Sequence, residues 1–233
     1  MFLIILGIVL FLIGASAMRS ESKFTPFAKS IRLVGIVVIL LGALSSSVRQ
    51  VDAGFVGVKS LFGKVQKQTL ESGLSLINPL MDVTNIDTRT QNYTMSGVHD
   101  EGTKAGDDAI KVLTADGLEV TIDLSVLYRV NPIEAPKLLS EIGVNFEDKI
   151  VRPITRTRIR DNSVYYDAVA LYSTKRDEFQ GRIFKTIEVD FKQRGLILEN
   201  LLVRNITLPA SVKSTIEQKI NAACQRVNDI AFR

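Results

Sequence analysis

The hydrophobic pattern of the chain changes at Arg49. Before it lie two apolar runs without a charged side chain, residues 1–18 and 33–48. Residues 19–32 separate the two runs. They contain one acidic residue, Glu21, and four basic residues: Arg19, Lys23, Lys29 and Arg32. After Arg49 the pattern is that of a soluble domain, with alternating and helical periods of apolar residues. The chain is therefore predicted to be anchored in a membrane by its N-terminus.

Each apolar run is slightly shorter than the roughly 20 residues that cross a bilayer core as a helix. The pair is predicted to form a membrane hairpin, either of two short spans or of a re-entrant type. The alternatives are a cleaved signal peptide for the first run, since Ala15–Ala17 resembles a cleavage site, and a buried core helix for the second. The side chains expected in lipid are Phe2, Leu3, Ile4, Leu10, Phe11, Leu12, Val34, Ile36, Val38 and Leu41.

The basic residues of the 19–32 loop predict the orientation of the anchor. Short loops rich in Lys and Arg stay on the cytoplasmic side of a membrane. The N-terminus and the soluble domain would then lie outside the cytoplasm, and we expect an integral protein of a bacterial inner membrane. Arg49, which follows the second run, weakens the charge difference on which this orientation depends.

Period-two alternation marks the clearest strand, residues 118–130. Its even-numbered residues from Leu118 to Val130 are all apolar, whereas the odd-numbered ones are mainly polar. Such alternation predicts a half-buried antiparallel strand that begins after the turn Asp116–Gly117. Further strands are predicted at 51–63, 64–70, 73–79, 83–94 and 196–208, with a polar loop at 99–108.

Helical periods alternate with these strands. Helices are predicted at 132–142, 146–161 and 173–194. The third has an apolar stripe of Phe179, Ile183, Ile187 and Phe191, a capping box of Thr174 with Asp177, and Gly195 as its stop. The combination predicts an α+β class, with an antiparallel sheet and packed helices over residues 49–208.

Residues 209–233 follow a heptad pattern. The apolar positions recur about every 3.5 residues, which is typical of a coiled coil. We expect an oligomer interface at Val212, Ile216, Ile220, Ala223 and Val227. The heptads run to Arg233 without a stop signal, so the helix is expected to continue in a longer protein.

Composition offers little for catalysis. The chain has one His, one Cys and no Trp, and its net charge is a mild +4. No G-x-S-x-G elbow and no cysteine metal cluster is present in the sequence. We therefore expect no catalytic, cofactor or metal site, no nucleic-acid partner and no small-molecule substrate. Lys149, Arg152, Arg156, Arg158 and Arg160 form a basic helix face. Of these, Lys149, Arg152, Arg156 and Arg160 are the candidate contact to anionic lipid or to a neighbouring subunit.

Several strings, in this order, resemble the prohibitin branch of the stomatin/prohibitin/flotillin superfamily, which shares the SPFH (band 7) domain. They include residues 71–79 (ESGLSLINP), 113–132 (LTADGLEVTIDLSVLYRVNP), 173–178 (STKRDE) and 201–209 (LLVRNITLP). The resemblance covers roughly residues 50–233. Two apolar runs, where the family usually has one membrane segment, and a short coiled coil are departures from its pattern.

The resemblance implies a membrane scaffold without a chemical step. Many copies would assemble as a ring or cage, organise a membrane microdomain, act as a chaperone-like holdase and restrain a membrane AAA+ protease of the FtsH type. The alternative is a monomeric or small-oligomer lipid-binding module or receptor that uses the basic face. An enzyme or accessory protease subunit is disfavoured, because the chain shows no Ser/Lys or Ser/His arrangement.

Overall fold

The computed structural model describes residues 2–19, 25–98, 101–104, 106–210, 212–214 and 218. Side chains at 2–4, 17–19 and 25–28 are outside this description. The chain forms two compact units, residues 1–87 and 88–233. The first contains the apolar helices and small sheets, and the second contains the largest sheet and its helices. The α+β class is confirmed.

The first unit opens with helices α1 (Phe2–Arg19) and α2 (Thr25–Ser47). Helix α2 begins well inside the range 19–32 that was predicted as a loop, so Lys29 and Arg32 lie on a helix. Pro26 falls in the first turn of α2, where proline is well tolerated because the first backbone N–H groups have no partner in the helix. The apolar run therefore understates the length of the second helix.

Five strands complete the first unit: β1 (Val48–Val51), β2 (Phe55–Leu61), β3 (Lys64–Leu70), β4 (Gly73–Leu76) and β5 (Met81–Asp87). Strands β1 and β4 form an antiparallel ribbon, and β2 is central between β3 and β5. Residues 64–70, predicted as a strand, form β3 and pair with the preceding strand β2. A small core of Val51, Leu70 and Ile77, flanked by Phe55, Met81 and Val83, holds the strands together.

The second unit is built around one long central strand, β8 (Glu119–Val130). On one side it pairs with β9 (Leu196–Thr207), and on the other with β6 (Gln91–Met95) and β7 (Ile110–Leu113), all antiparallel. The even-numbered residues Val120 to Val130 are fully buried, as predicted. Asp123 and Ser125 on the opposite face are buried as well. The middle of the strand is therefore covered on both faces, more than its alternation predicted.

Four helices and one π-helical turn accompany this sheet. They are α3 (Ala135–Glu141), the π-helix Glu147–Val151, α4 (Arg152–Ser163), α5 (Ala168–Tyr172) and α6 (Arg176–Gln193). The predicted stripe of α6 is confirmed, since its four members are fully buried. Phe191 makes an edge-to-face contact with Tyr128 of β8 at 6.3 Å between ring centroids. The stripe thus packs α6 onto the sheet, mainly against β9, and Phe191 reaches the central strand.

The predicted capping box of α6 is wrong. Helix α6 begins at Arg176 after Lys175, and no side chain caps its first turn. The N–H groups of Ser173 and Lys175 donate instead to carbonyls of α5, those of Val169 and Ala170. Thr174 therefore belongs to the turn that ends α5, a helix that the sequence did not predict.

Gly195 ends α6 as predicted, with a φ of +79°. Its carbonyl accepts the Asn131 N–H at 2.9 Å, and a Cβ here would lie 2.8 Å from the Glu134 Cβ. Both the left-handed backbone and the close approach require glycine.

Candidate functional site

Glycine backbones bring α1 and α2 together as an antiparallel hairpin. A Cβ on Gly7 would lie 2.8 Å from the Ile39 nitrogen, and one on Gly14 would lie 2.9 Å from the Arg32 nitrogen. A Cβ on Gly35 would lie 2.8 Å from the Phe11 nitrogen. Helices can approach this closely only where small residues line the contact, which is the usual arrangement inside membranes.

The large aliphatic side chains of the hairpin face outwards. Leu12 is 59% exposed, Leu40 64% and Leu44 62%, whereas Gly7, Gly14, Gly35 and Gly42 are buried. A water-soluble helix pair would bury its aliphatic side chains and expose polar ones. The observed pattern is the reverse, and it suits a hydrocarbon solvent.

The membrane residues predicted from sequence fall into three groups. Leu12, Val34, Ile36 and Leu41 are exposed, and Leu10, Phe11 and Val38 are half-buried. The side chains of Phe2, Leu3 and Ile4 lie outside the description. The lipid contact of all three groups stays a prediction, and the hydrophobic pattern did not identify the buried glycines between the two helices. Their equal spacing of seven in both helices (7 and 14, 35 and 42) was the available signal.

In the part of the chain that the structure describes, one helix is long and apolar enough to cross a membrane. It is the Lys29–Ser47 portion of α2, 19 residues with 11% of its span buried. The apolar part of α1, Ile5–Ser16, is shorter. At 1.5 Å per residue the whole segment, which includes Lys29 and Arg32, measures about 28 Å, close to the thickness of a hydrocarbon core, whereas its uncharged part from Leu33 to Ser47 measures about 22 Å. Its low burial argues against the alternative of a core helix.

A second feature, in the other unit, is a buried carboxylate between two arginines. Asp108, 4% exposed, accepts hydrogen bonds from Arg152 and from Arg156, whose Nη1 lies 2.6 Å from Oδ1. Arg156 also donates to the Ala109 carbonyl at 3.3 Å. Burial alone would raise the pKa of Asp108, but the hydrogen bonds and charges of the two arginines outweigh it and lower the pKa.

Two buried phenols lie beside this cluster. Burial, with the nearby charge of Asp108, raises the pKa of Tyr93 to about 12. Burial, with the hydrogen bond that its hydroxyl donates to Glu147 at 2.7 Å, raises the pKa of Tyr128. The π-helix that precedes α4 carries Glu147 to Tyr128, and α4 itself carries Arg152 to Asp108. The hydrogen bonds and ion pairs of this cluster therefore fix the start of α4 to the sheet.

The basic face predicted on α4 is only partly available for other contacts. Arg152 and Arg156 pair with Asp108, and the Lys149 Nζ donates to the Ile142 carbonyl at 2.6 Å. Arg158, a further member of this face, pairs with Asp190 at 2.6 Å. Arg160 is exposed. A lipid or subunit contact therefore stays a prediction, and Arg160 is its best-placed member.

Of the predicted heptad positions, the structure describes Val212 alone. It is half-buried, and its N–H donates to the Pro209 carbonyl at 3.0 Å in the first turn after Leu208. Ile216, Ile220, Ala223 and Val227 lie outside the described residues. No group of three His, Cys, Asp or Glu side chains within the described ranges has the geometry of a metal site.

Comparison with known families and proteins agrees with this architecture. The family described as "SPFH domain / Band 7 family" matches residues 49–231, so the chain belongs to that family. Prohibitin-1 of Saccharomyces cerevisiae is 22% identical over 199 residues, which are 82% of this chain and 64% of that protein. Prohibitin 1 of Drosophila melanogaster is 26% identical over 100 residues, 43% of this chain and 36% of that protein.

These relatives support the prohibitin branch of the superfamily, and the resemblance inferred from sequence is confirmed at that level. The match begins at Arg49, where the apolar N-terminal part ends. The chain spans less than two thirds of the length of either curated relative.

Proposed function

We propose that this chain is a subunit of a membrane-anchored, oligomeric scaffold. The main support is the hairpin of α1 and α2, which buries glycines and exposes aliphatic side chains, the reverse of a water-soluble helix pair. This hairpin directly precedes the SPFH domain. An anchor of this kind keeps the domain at the bilayer surface. There, many weak lateral contacts act together, because anchored copies have a high effective concentration.

The scaffold holds other membrane components in place and performs no chemical step. By its membership of the prohibitin branch, it organises a membrane microdomain, acts as a chaperone-like holdase and restrains a membrane AAA+ protease of the FtsH type. The buried ionisable groups of the second unit support a structural role. Asp108 is paired with Arg152 and Arg156, and the Tyr128 hydroxyl donates a hydrogen bond to Glu147.

The oligomer forms through the heptad residues that follow Pro209. Val212, Ile216, Ile220, Ala223 and Val227 pack between neighbouring copies as a coiled coil. The roughly three heptads within residues 209–233 are weak by themselves, so the assembly depends on many such contacts and the shared membrane, or on further coil downstream.

The hairpin lies in a bacterial inner membrane with the SPFH domain outside the cytoplasm. Lys29 and Arg32 support this orientation, because both lie in the early part of α2 next to the connection between the helices. Basic residues at such a connection favour the cytoplasmic side.

Capture of the full chain from detergent-solubilised membranes tests the proposed client. The membranes are first washed with alkaline carbonate, which removes proteins that are not embedded. We expect the chain to stay in the membrane and an AAA+ protease to be captured with it and identified by mass spectrometry. An Ile220→Pro variant is the matched control, because it keeps the anchor and breaks the heptad helix.

Release of the chain by carbonate would contradict the anchor. If the chain stays in the membrane but no AAA+ protease is enriched with it, the proposed protease client is contradicted. Capture of anionic lipid by single chains, lost in an Arg160→Gln variant, would favour the lipid-binding module instead.

A further inference from the structure

The ribbon of β1 and β4 carries apolar side chains on both faces. In the antiparallel register Val48 lies opposite Leu76, and Gln50 lies opposite Leu74. Because side chains alternate along strands, these four residues share one face. Val51 lies on the other face. Ile77, the residue directly after β4, lies on the same side, and both side chains pack into the small core. The first face is uncovered, with Leu74 76% exposed, Leu76 74% and Val48 46%.

This uncovered face lies directly at the end of the anchor helix. Helix α2 ends at Ser47 and β1 begins at Val48, with no residue between them. The Ile77 N–H donates to the Ser47 carbonyl at 2.8 Å. Leu76 is therefore held next to the last turn of α2 by a backbone hydrogen bond and by strand pairing. Leu80, just beyond in the chain, is a further exposed aliphatic residue, at 52%.

The length of α2 places the ribbon at the level of the membrane. From Leu33, the first residue after Arg32, to Ser47 the helix rises about 22 Å, roughly 8 Å less than a typical hydrocarbon core of about 30 Å. If Arg32 lies among the lipid head groups on one side of the membrane, helix α2 ends at Ser47 before it reaches the head groups on the other side. The ribbon then follows within the remaining thickness of the bilayer.

We infer that the uncovered face of the ribbon, formed by Val48, Leu74 and Leu76, inserts into the lipid at the head-group and acyl-chain boundary. The inference rests on the proposed membrane anchor, with which this face is continuous. The partner is the lipid surface itself. The ribbon lies at the boundary rather than deeper, because strand edges with free backbone groups need water within reach. A short, apolar β-ribbon thus extends a span that is too short by itself.

Spin labels on the full chain in phosphatidylcholine and phosphatidylglycerol vesicles test this inference. Cys224 is the single cysteine, so a Cys224→Ser chain offers a clean background. Labels are attached to Leu74→Cys and Leu76→Cys, and collisions with oxygen, which dissolves in lipid, and with a water-soluble nickel chelate are compared. Leu41→Cys in α2 reports on the anchor, and Ile133→Cys, 80% exposed in the other unit, is the aliphatic control.

The inference predicts that the labels at 74 and 76 resemble the label at 41, with oxygen collisions high and nickel collisions several-fold lower than at 133. Nickel access at 74 and 76 equal to that at 133, with 41 protected, would overturn the inference and leave the anchor intact. If the nickel chelate also reaches the label at position 41, the hairpin is not a membrane anchor, and the proposed function is overturned with it. Protection of 74 and 76 from both reagents would mean that a second copy covers the face, which would overturn the lipid as partner.

Discussion

At the scale of single residues, the buried carboxylate of Asp108 joins the segment before β7 to helix α4. It follows a polar loop and accepts hydrogen bonds from arginines that lie 44 and 48 positions further along the chain. Removing one member of a buried ion pair leaves its partners unpaired in a poorly solvated place, which costs more than the pair itself contributes. The start of α4 therefore depends on this carboxylate.

We expect an Asp108→Asn variant of the full chain in detergent to lose about 2 kcal/mol of unfolding free energy at pH 7. This loss is smaller than the usual one for a fully buried pair, because Arg152 and Arg156 are partly exposed. Because the folded pKa of Asp108 is lowered, its contribution is present above the unfolded pKa and is lost as the pH falls through the folded pKa. The difference between variant and wild type should therefore shrink below about pH 4. Urea unfolding followed by circular dichroism measures it.

An Asp161→Asn variant is the matched control for this experiment. Asp161 also pairs with an arginine, Arg158, at 3.3 Å, but its side chain is 53% exposed. The Asp161→Asn variant should therefore have almost the same free energy of unfolding as wild type. Equal losses in the two variants, or a loss in Asp108→Asn that does not change with pH, would contradict the role given to Asp108.

At the scale of elements, the anchor hairpin depends on glycine contacts between its helices. Gly35 leaves room for the backbone of Phe11, and a side chain there must push α1 and α2 apart. In lipid the hydrophobic effect does not drive helices together, so close packing has to supply the association.

A Gly35→Leu variant should destabilise the hairpin by about 1–3 kcal/mol, the usual cost of overpacking a tight contact. Thermal unfolding of the helices in micelles, followed by circular dichroism, measures the effect. The control is Ile36→Leu at the neighbouring position, where the side chain is 43% exposed and faces away from the contact. Unfolding of Gly35→Leu at the temperature of the control would mean that the glycine contact does not hold the hairpin.

The sequence predicts those elements whose period is regular and whose contacts are local. The stripe of α6 and the alternation of β8 both follow from burial on one face. The Thr174 capping box failed because α5 reaches further than its sequence signals, and its carbonyls bind the N–H groups of Ser173 and Lys175. The pairing of Asp108 with Arg152 was out of reach, because nothing local joins residues so far apart in the chain.

At the scale of the whole molecule, we propose that the chain functions as one copy among many. In the proposed scaffold, the anchor holds the copies in one plane and the heptad residues after Pro209 join them. A substitution of Ile216→Asp together with Ile220→Asp places charges at two core positions of the coiled coil and should separate the copies.

Native mass in lipid nanodiscs or mild detergent, measured by analytical ultracentrifugation, tests the scaffold most directly. We expect the wild-type chain to form one large assembly of many copies and the Ile216→Asp, Ile220→Asp variant to yield monomers or dimers. Large assemblies of that variant would contradict the coiled-coil interface. A wild-type particle that contains one 25.8 kDa chain would contradict the scaffold itself.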